Sequence, residues 1–244
     1  MREVAPHGDG WLTFARYPAR DGPRREAPRR ERRADQAEVR MGWGRGLGAA
    51  LWLLAGSAAS SEPAPARLLA PVSAAAPDPR LFAEAILLAS NDARARAGLP
   101  PLAYDPALGQ AAAAHAANMA RLRMHGHTLP VEQGARYRDR LVMWGVVYRR
   151  AGENIARGKA YQLLDRPIRA GAEGCAFFYS DTGAPVPIHS YASLAAETVD
   201  RWLASPRHRA ALLSPQFGRL GAGIGGDPDA AGCGDLYMAQ TFAD

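Results

Sequence analysis

The apolar residues of positions 81–244 change their spacing once, from a helical period to alternation near the end of the chain. Residues 81–97 place apolar side chains three or four positions apart, and Gly98 follows as a suitable end of a helix. Asp105-Pro106 predicts the start of a second helix, because aspartate caps the first turn and proline fits its first position. The body of the chain therefore begins with helices.

The C-terminal part predicts a further helix and then two strands. Residues 192–204 carry a helical apolar stripe, and Ser205-Pro206 opens a short further turn. Residues 219–226 and 236–242 alternate like two strands joined by the loop DPDAAGCGD. This order predicts an α+β fold in which helices pack around a small antiparallel sheet.

The first 80 residues have a different composition. Residues 1–40 are rich in arginine and proline and predict either disorder or an untranslated extension before a start at Met41. Residues 41–59 combine one arginine, an apolar run and a small-x-small site, which is typical of a secretory signal peptide. Residues 60–80 alternate proline with alanine and predict an extended linker without a core.

These segments predict a secreted or periplasmic protein, with no stable transmembrane segment after signal cleavage. The apolar run within 41–59 is too short to span a bilayer comfortably. The alternative is a membrane-anchored protein that keeps 41–59 as an uncleaved anchor behind a cytoplasmic tail.

The distribution of charge gives little reason to expect nucleic acid as a partner. The 244 residues carry a net charge of +6, and positions 1–59 account for +4 of it with 11 basic and 7 acidic residues. Positions 60–244 are close to neutral. We therefore expect no nucleic-acid binding.

Cys175 and Cys233 are the only cysteines. Two cysteines in an exported protein predict one disulfide, with two reduced buried thiols as the alternative. Their separation is not that of a metal-binding knuckle. If they pair, their Cα atoms should lie within roughly 7 Å of each other.

The stretch RRAGENIARG, residues 149–158, contains an isolated carboxylate, Glu153. Gly152 frees the backbone and Asn154 can hold a turn, so we expect Glu153 on a shaped loop. A carboxylate presented in this way is either a structural pin that accepts hydrogen bonds or one half of a chemical site.

Other candidate residues receive structural interpretations. His115 lies on the apolar face of the second helix and is interpreted as a core histidine bonded to a carbonyl rather than as a ligand. His125 forms an H-x-H pair that could chelate only if it lay on a strand. His189 has no visible partner. Met143 and Trp144 are interpreted as packing residues, with a groove-lining role as the alternative for the tryptophan.

Five blocks of sequence in order carry a family resemblance. They are ILLASNDARARAGLPPLAYDPALGQAAAAHAANMA, HGHTLP, YRRAGENIARG, WLASPRHRAALLSPQFGRLGAGI and YMAQTFAD. Together they resemble the CAP superfamily of cysteine-rich secretory, antigen 5 and pathogenesis-related proteins, in particular its bacterial SCP-like branch.

The resemblance covers nearly all of 81–244 and implies an α-β-α sandwich and export from the cell. Residues 159–190, which include Cys175, are longer than the usual bacterial connection. If Cys175 and Cys233 pair, the disulfide would fasten this insertion to the sheet.

Many members of this superfamily keep a cavity lined by two histidines and two glutamates. By position, His127 matches the first histidine, Glu153 the first glutamate and His208 the second histidine. The second glutamate stands three residues after the helix tryptophan in eukaryotic relatives, and this chain has Ser205 there. We expect Glu197 to face solvent and not to replace it.

The resemblance suggests two classes of function. The first is a binding module for a lipid, sterol-like or cell-envelope ligand in a cleft floored by His127, Glu153 and His208. The second is a metal-assisted hydrolase, in which the two histidines hold a divalent metal such as zinc and the glutamate acts as base. The sequence has no recognisable nucleophile, which favours binding and leaves no catalytic residue assigned. A carboxylate beside either histidine predicts a raised histidine pKa.

Overall fold

The computed structural model describes residues 63–163, 166–171 and 175–244. The predicted extension 1–40 and the predicted signal peptide 41–59 lie outside these residues. None of the helices in the described ranges is both long and apolar enough to cross a membrane.

The described residues form a short 3₁₀-helix, five α-helices and six strands. In chain order these are the 3₁₀-helix Ala66–Leu69, α1 Pro79–Arg96, β1 Ala103–Tyr104, α2 Pro106–Leu122, α3 Tyr137–Met143, β2 Ala151–Gly158, β3 Ile168–Ala170, β4 Phe177–Tyr179, α4 Tyr191–Ala204, α5 Pro206–Leu212, β5 Arg219–Asp227 and β6 Asp235–Ala243.

Four strands form the main sheet in the order β1-β5-β6-β2. β5 and β6 pair antiparallel across the predicted loop, β2 pairs antiparallel with β6, and β1 adds a short parallel pairing to β5. β2 therefore lies at an edge of this sheet, and β3 and β4 form a separate two-stranded sheet. The predicted α+β class is confirmed.

Helices cover both faces of the main sheet. α2 packs on β5 and β6 from one side, while α1 contacts β5 from the other side and packs against α4. The buried residues follow this division: Met119 and Ile155 belong to the cluster under α2, and Phe82 and Trp202 belong to the cluster under α1 and α4. The structure is thus the α-β-α sandwich that the resemblance implies.

The helix starts follow from their capping residues. Asp105 Oδ1 accepts hydrogen bonds from the backbone N–H groups of Ala107 and Leu108 at 2.8 and 3.1 Å, with Pro106 at the first position as predicted. Asp78 caps α1 in the same way, so this helix begins two residues before the predicted start at 81.

The prediction of a linker over 60–80 is wrong for most of its described part. Leu68 is fully buried and Val72 is 3% exposed, and both belong to the main core cluster. The backbone N–H of Val72 donates to the carbonyl of His189 at 2.8 Å. Within 63–78 the only helix is the short 3₁₀-helix Ala66–Leu69, but two apolar side chains are enough to anchor the segment to the domain.

The insertion 159–190 folds around its own small cluster. β3 and β4 form a hairpin whose core contains Phe177, Tyr179 and Val186. Cys175 and Cys233 form a disulfide with Cα atoms 5.5 Å apart, which confirms the predicted pairing. The disulfide fastens the insertion to the loop between β5 and β6.

Helix α2 approaches β5 so closely that the strand must carry glycine. A Cβ atom on Gly221 would lie 2.1 Å from the backbone nitrogen of Gly109, and one on Gly223 would lie 2.3 Å from the Cα of Ala113. Both neighbours are helix backbone, which cannot rotate aside as a side chain can. The G-x-G-x-G pattern of β5 therefore sets the distance between the α2 layer and the sheet.

We expect Gly223→Ala to destabilise the protein by about 1–3 kcal/mol or more, because its methyl group would force α2 away from the sheet. Gly218→Ala is the matched control, since nothing lies within 4 Å of a Cβ built there and its φ is not positive. Urea unfolding of both variants measures the difference. Equal free energies of unfolding would show that α2 adjusts without cost.

Candidate functional site

Glu153 lies within strand β2 and not on a loop, so the predicted local geometry is wrong. It stands opposite Thr241 of β6. Gly152 is not among the residues with positive φ, and a Cβ there would lie 3.1 Å from the ring of Phe217. This glycine therefore serves packing rather than a turn.

The Glu153 side chain is 2% exposed and lies at the centre of a buried polar cluster. Oε1 is 2.9 Å from His127 Nδ1 and 3.8 Å from His115 Nε2. Oε2 accepts a hydrogen bond of 2.7 Å from Arg140 Nη2. The sequence-derived pairing of Glu153 with His127 is thus present, together with two further partners.

Arg140 is the partner that sequence reasoning missed. Its side chain is 3% exposed, and it donates to the carbonyls of Gly134, Ala135 and His127 as well as to Glu153. One guanidinium group thereby ties the 127–135 loop to β2. No pattern in the sequence indicates this role, because Arg140 is one of five arginines between 136 and 150 and α3 was not predicted.

Glu153 is held as a carboxylate despite its burial. Burial by itself would raise the pKa of this carboxyl group, but the hydrogen bond with His127 and the positive charge and hydrogen bond of Arg140 outweigh it and lower the pKa below its ordinary value. Glu153 and Arg140 therefore form a buried ion pair at neutral pH.

His115 is a core histidine, as its position on α2 predicts, and its ring hydrogen-bonds the backbone of Gly126. Burial lowers the pKa of His115 to about 4, since it outweighs the attraction of Glu153. The imidazole is therefore neutral. Its Nε2 has no hydrogen-bond partner and faces the carboxylate of Glu153, a contact that the sequence did not reveal.

His208 reaches this region from the other face of the sheet. Asn154, the residue after Glu153, points away from α2 and donates through Nδ2 to the carbonyl of His208 at 3.2 Å and to Gln240 Oε1 at 3.3 Å. Among the described contacts Glu153 has no hydrogen bond or ion pair with His208. Because β2 is an edge strand, His208 and His127 meet around the sheet edge and not across one cleft floor.

Three histidines near this edge act on one another electrostatically, and we call them the imidazole cluster: the exposed His125 and His127 and the half-buried His208. The His127 side chain is 51% exposed. The pKa of His125 is lowered, first by burial and then by the positive charges of His127, Arg157, Arg201 and His208.

The pKa of His208 is also lowered, by burial and then by the positive charge of His127. The expectation of a raised pKa at His208 is therefore wrong, because a neighbouring cation and not Glu153 acts on it. His125 and His127 lie in a loop, so their H-x-H spacing does not aim both side chains to one side.

The remaining predicted positions lie near α4. Ser205 ends α4 and precedes α5, and its hydroxyl makes no capping hydrogen bond. Glu197 has a side chain that is 44% exposed, as expected, and its carboxylate lies 3.0 Å from His189 Nε2. His189 Nδ1 is 2.9 Å from Ser193 Oγ, which also accepts from the backbone N–H of Ser190. Ser193 thus acts as a helix cap.

A shallow surface pocket lies between α4 and the insertion, with Arg201 on its rim. Its lining residues are Gln162, His189, Ser193, Glu197, Asp200, Arg201 and Ala204. Arg201 connects this pocket to the imidazole cluster, because its charge also acts on His125.

The donor arrangement does not fit a metal ion. Within the described ranges no three His, Cys, Asp or Glu side chains are grouped so as to hold one. Both carboxylate oxygens of Glu153 are already engaged by Arg140 and His127. We therefore derive no metal-dependent step.

The model of the cysteine-rich secretory protein family, CAP, matches residues 87–242, and the chain belongs to this family. Among curated proteins no relative matches the chain significantly.

Solved bacterial structures are similar to the chain. An extracellular protein containing an SCP domain from Bacillus anthracis has 25% identity and a TM-score of 0.45, over 68% of this chain and 41% of its own. An outer surface protein of Borrelia burgdorferi has 18% identity and a TM-score of 0.42, and the match covers 63% of this chain and 86% of that protein. A cysteine-rich secretory protein of Staphylococcus aureus has 18% identity and a TM-score of 0.39, and the match covers 68% of this chain and 38% of that protein. The chain thus spans less than half the length of the first and third.

We expect Arg140→Met to destabilise the protein by about 3–5 kcal/mol near pH 7, because it leaves the buried Glu153 carboxylate without its cation. The loss should shrink at acidic pH, where Glu153 is protonated. Arg138→Met on the exposed side of α3 is the control and should change the free energy of unfolding by less than about 0.5 kcal/mol. Similar losses for both variants in urea unfolding would contradict the role given to the buried pair.

Stability should also decrease as the pH falls from about 6.5 to about 4. In this window the unfolded chain binds a proton at His115 that the folded protein excludes, which amounts to a change on the order of 3 kcal/mol. Below it, protonation of Glu153, whose folded pKa is lowered, should remove further stability. His115→Gln should flatten the upper part of this profile in pH-dependent urea unfolding, and an unchanged slope would argue against a neutral His115.

Proposed function

We propose that this CAP domain is an exported binding module for an anionic lipid or other anionic cell-envelope ligand, which it holds at the imidazole cluster. The observation that carries the proposal is the nearness of these imidazoles to Arg201 and to Arg157 of β2, which is itself paired with Asp235; Arg201 Nη1 donates to the carbonyl of Arg157 at 3.0 Å. Glu153 then acts as the support of His127, and not as a ligand-contacting group.

The charges at this edge favour an anion. The negative charge of Glu153 is buried and balanced by Arg140. The imidazole cluster lies outside that pair, and burial, followed by repulsion from the nearby positive charges, lowers the pKa of His125. A phosphate or carboxylate placed among them would relieve this repulsion and would accept hydrogen bonds from the imidazole N–H groups.

The arrangement couples binding to pH. Imidazoles with lowered pKa values are mostly neutral at pH 7 and gain charge as the medium becomes acidic. A bound anion stabilises the charged form, so affinity should increase as the pH falls through the range in which His125 and His208 titrate.

The adjoining pocket supports a ligand larger than an isolated ion. It begins at Arg201 and extends along α4, so a molecule with an anionic head at the cluster could lay an apolar part there. A sterol-like ligand would use the same pocket without needing the cationic edge. We favour the anionic ligand because the clustered charges have no function in binding a neutral sterol.

Export is part of the proposal. The segment 41–59 has the pattern of a signal peptide, and the Cys175–Cys233 disulfide is typical of proteins that fold outside the reducing cytosol.

The metal-assisted hydrolase stays the alternative prediction, with His127 and His208 as ligands of a metal such as zinc and Glu153 as base. It rests on the nearness of His127 to His208, although no three His, Cys, Asp or Glu side chains in the described ranges are grouped so as to hold a metal. Metal analysis of the purified protein after dialysis tests it. One equivalent of zinc that is lost in His127→Gln/His208→Gln would support the hydrolase over the binding module.

Calorimetric titration with soluble dihexanoyl phosphatidylglycerol tests the binding function. We expect binding that is tighter at pH 5.5 than at pH 8, the two sides of an ordinary histidine pKa of roughly 6.5, and weaker for phosphatidylcholine of the same chain length. The double variant His127→Gln/His208→Gln should lower the affinity roughly tenfold or more, which corresponds to about 1.4 kcal/mol. Arg96→Gln, which removes an exposed positive charge outside both the cluster and the adjoining pocket, is the control. Equal affinity for both lipids, or no effect of the double variant, would overturn the proposal.

A further inference from the structure

Four large apolar side chains are exposed within six consecutive residues after and at the end of α3. Val142 is 72% exposed, Met143 51%, Trp144 40% and Val147 83%. We call these four residues the apolar turn. Single exposed apolar residues are ordinary on protein surfaces, but four in one turn mark a site of interaction. The sequence-based interpretation of Met143 and Trp144 as packing residues is wrong.

The local fold does not require these side chains. α3 ends in a Schellman motif, in which the N–H of Gly145 donates to Val142 O at 3.0 Å and the N–H of Val146 donates to Leu141 O at 2.9 Å. Gly145 supplies the positive φ of 67°, and the buried Leu141 and Val146 make the apolar contact that accompanies the motif. The residues of the apolar turn could be polar without loss of this geometry.

The motif also makes the turn compact and rigid. Its two backbone hydrogen bonds close the segment on itself, so the four apolar side chains project from one short turn. A preformed apolar projection of this kind loses little conformational entropy when it enters another phase.

Basic residues flank the turn on both sides in sequence. Between 136 and 150 there are five arginines and one acidic residue, Asp139. Arg140 is buried in its pair with Glu153, which leaves Arg136, Arg138, Arg149 and Arg150 exposed. An apolar projection that includes a tryptophan and is bordered by arginine is the composition that binds the interface of an anionic bilayer.

We propose that the apolar turn is a membrane-docking surface, which inserts into the headgroup region of an anionic phospholipid bilayer while the flanking arginines contact lipid phosphates. The charge complementarity selects this partner over a second copy of the chain, since two copies would bring their arginines together. The surface does not depend on the imidazole cluster. Val142 lies on the other side of α3 from Arg140, which supports His127, whereas Met143 stands beside Arg140 at Gly134.

Vesicle co-sedimentation of the full chain tests the proposal. We expect binding to vesicles of phosphatidylglycerol and phosphatidylcholine in equal amounts, with much weaker binding to pure phosphatidylcholine and a loss of binding as salt increases. Val147→Asp should weaken binding to the mixed vesicles tenfold or more. Equal sedimentation with the two kinds of vesicle, or with the wild type and Val147→Asp, would overturn the proposal.

Leu69→Asp is the matched control. Leu69 is 61% exposed and belongs to the 3₁₀-helix, which contacts α1 and α4, whereas α3 packs against α2. The control should bind the mixed vesicles as the wild type does.

Two further measurements separate this surface from its competitors. Brominated lipids should quench part of the tryptophan fluorescence in the wild type, and Trp144→Phe should remove that part. Sedimentation velocity without lipid should give a monomer, and a dimer that Val147→Asp dissolves would overturn the membrane proposal in favour of self-association. If Val147→Asp loses vesicle binding but keeps soluble phosphatidylglycerol binding, the docking surface stands whether or not the imidazole cluster binds lipid.

Discussion

The contact between α2 and β5 sets the geometry of the rest of the domain. The glycines of β5 leave no side chain between strand and helix, so the helix backbone lies directly on the sheet. α2 carries alanine at many of its positions and places its one histidine, His115, beside Glu153 of the edge strand β2, which lies beyond β6. A larger residue on either partner would lift the helix, and His115 would lose its position beside Glu153. The polar cluster thus depends on a packing contact that involves no polar group.

A second constraint is the cost of burying Glu153. A carboxylate that is 2% exposed needs a cation, and Arg140 provides it by reaching in from α3. Nη1 and Nη2 of Arg140 also donate to carbonyls of the 127–135 loop, so the loop is held by the same guanidinium group that neutralises the charge, while the buried Nε has no hydrogen-bond partner. Glu153 is therefore a structural residue that accepts hydrogen bonds, and it is also part of the site, because the side chain it holds in place is the exposed His127.

The elements with strong local signals could be predicted from the sequence, as the capped start of α2 at Asp105 and the strand pair on either side of the DPDAAGCGD loop illustrate. Glu153 was placed on a loop because glycine and asparagine favour turns locally, whereas tertiary packing decides here: Gly152 accommodates Phe217, and Asn154 bonds across to α5. Arg140 could not be found because long-range pairing leaves no periodic trace in a segment with many arginines. His208 was matched by its position in the sequence. The side of the sheet from which it approaches could not be predicted, because this follows from the alternation of side chains along β2, and 151–158 was not predicted to be a strand.

Helix α3 joins the two surfaces for which we propose functions. Its inward side carries Arg140, which fixes the loop of His127, and its end carries the apolar turn. The Schellman motif makes the connection stiff, since the turn that presents Val142 and Val147 is closed by hydrogen bonds to the last turn of the same helix. If the turn enters a bilayer, α3 therefore holds the imidazole cluster at a fixed distance from the lipid headgroups. A basic edge kept near an anionic surface experiences a lower local pH than the bulk medium, because anionic lipids attract protons as they attract arginine. Histidines whose pKa values are lowered would then gain charge at the membrane while staying neutral in solution, so docking through the turn would itself activate the cluster for an anionic ligand.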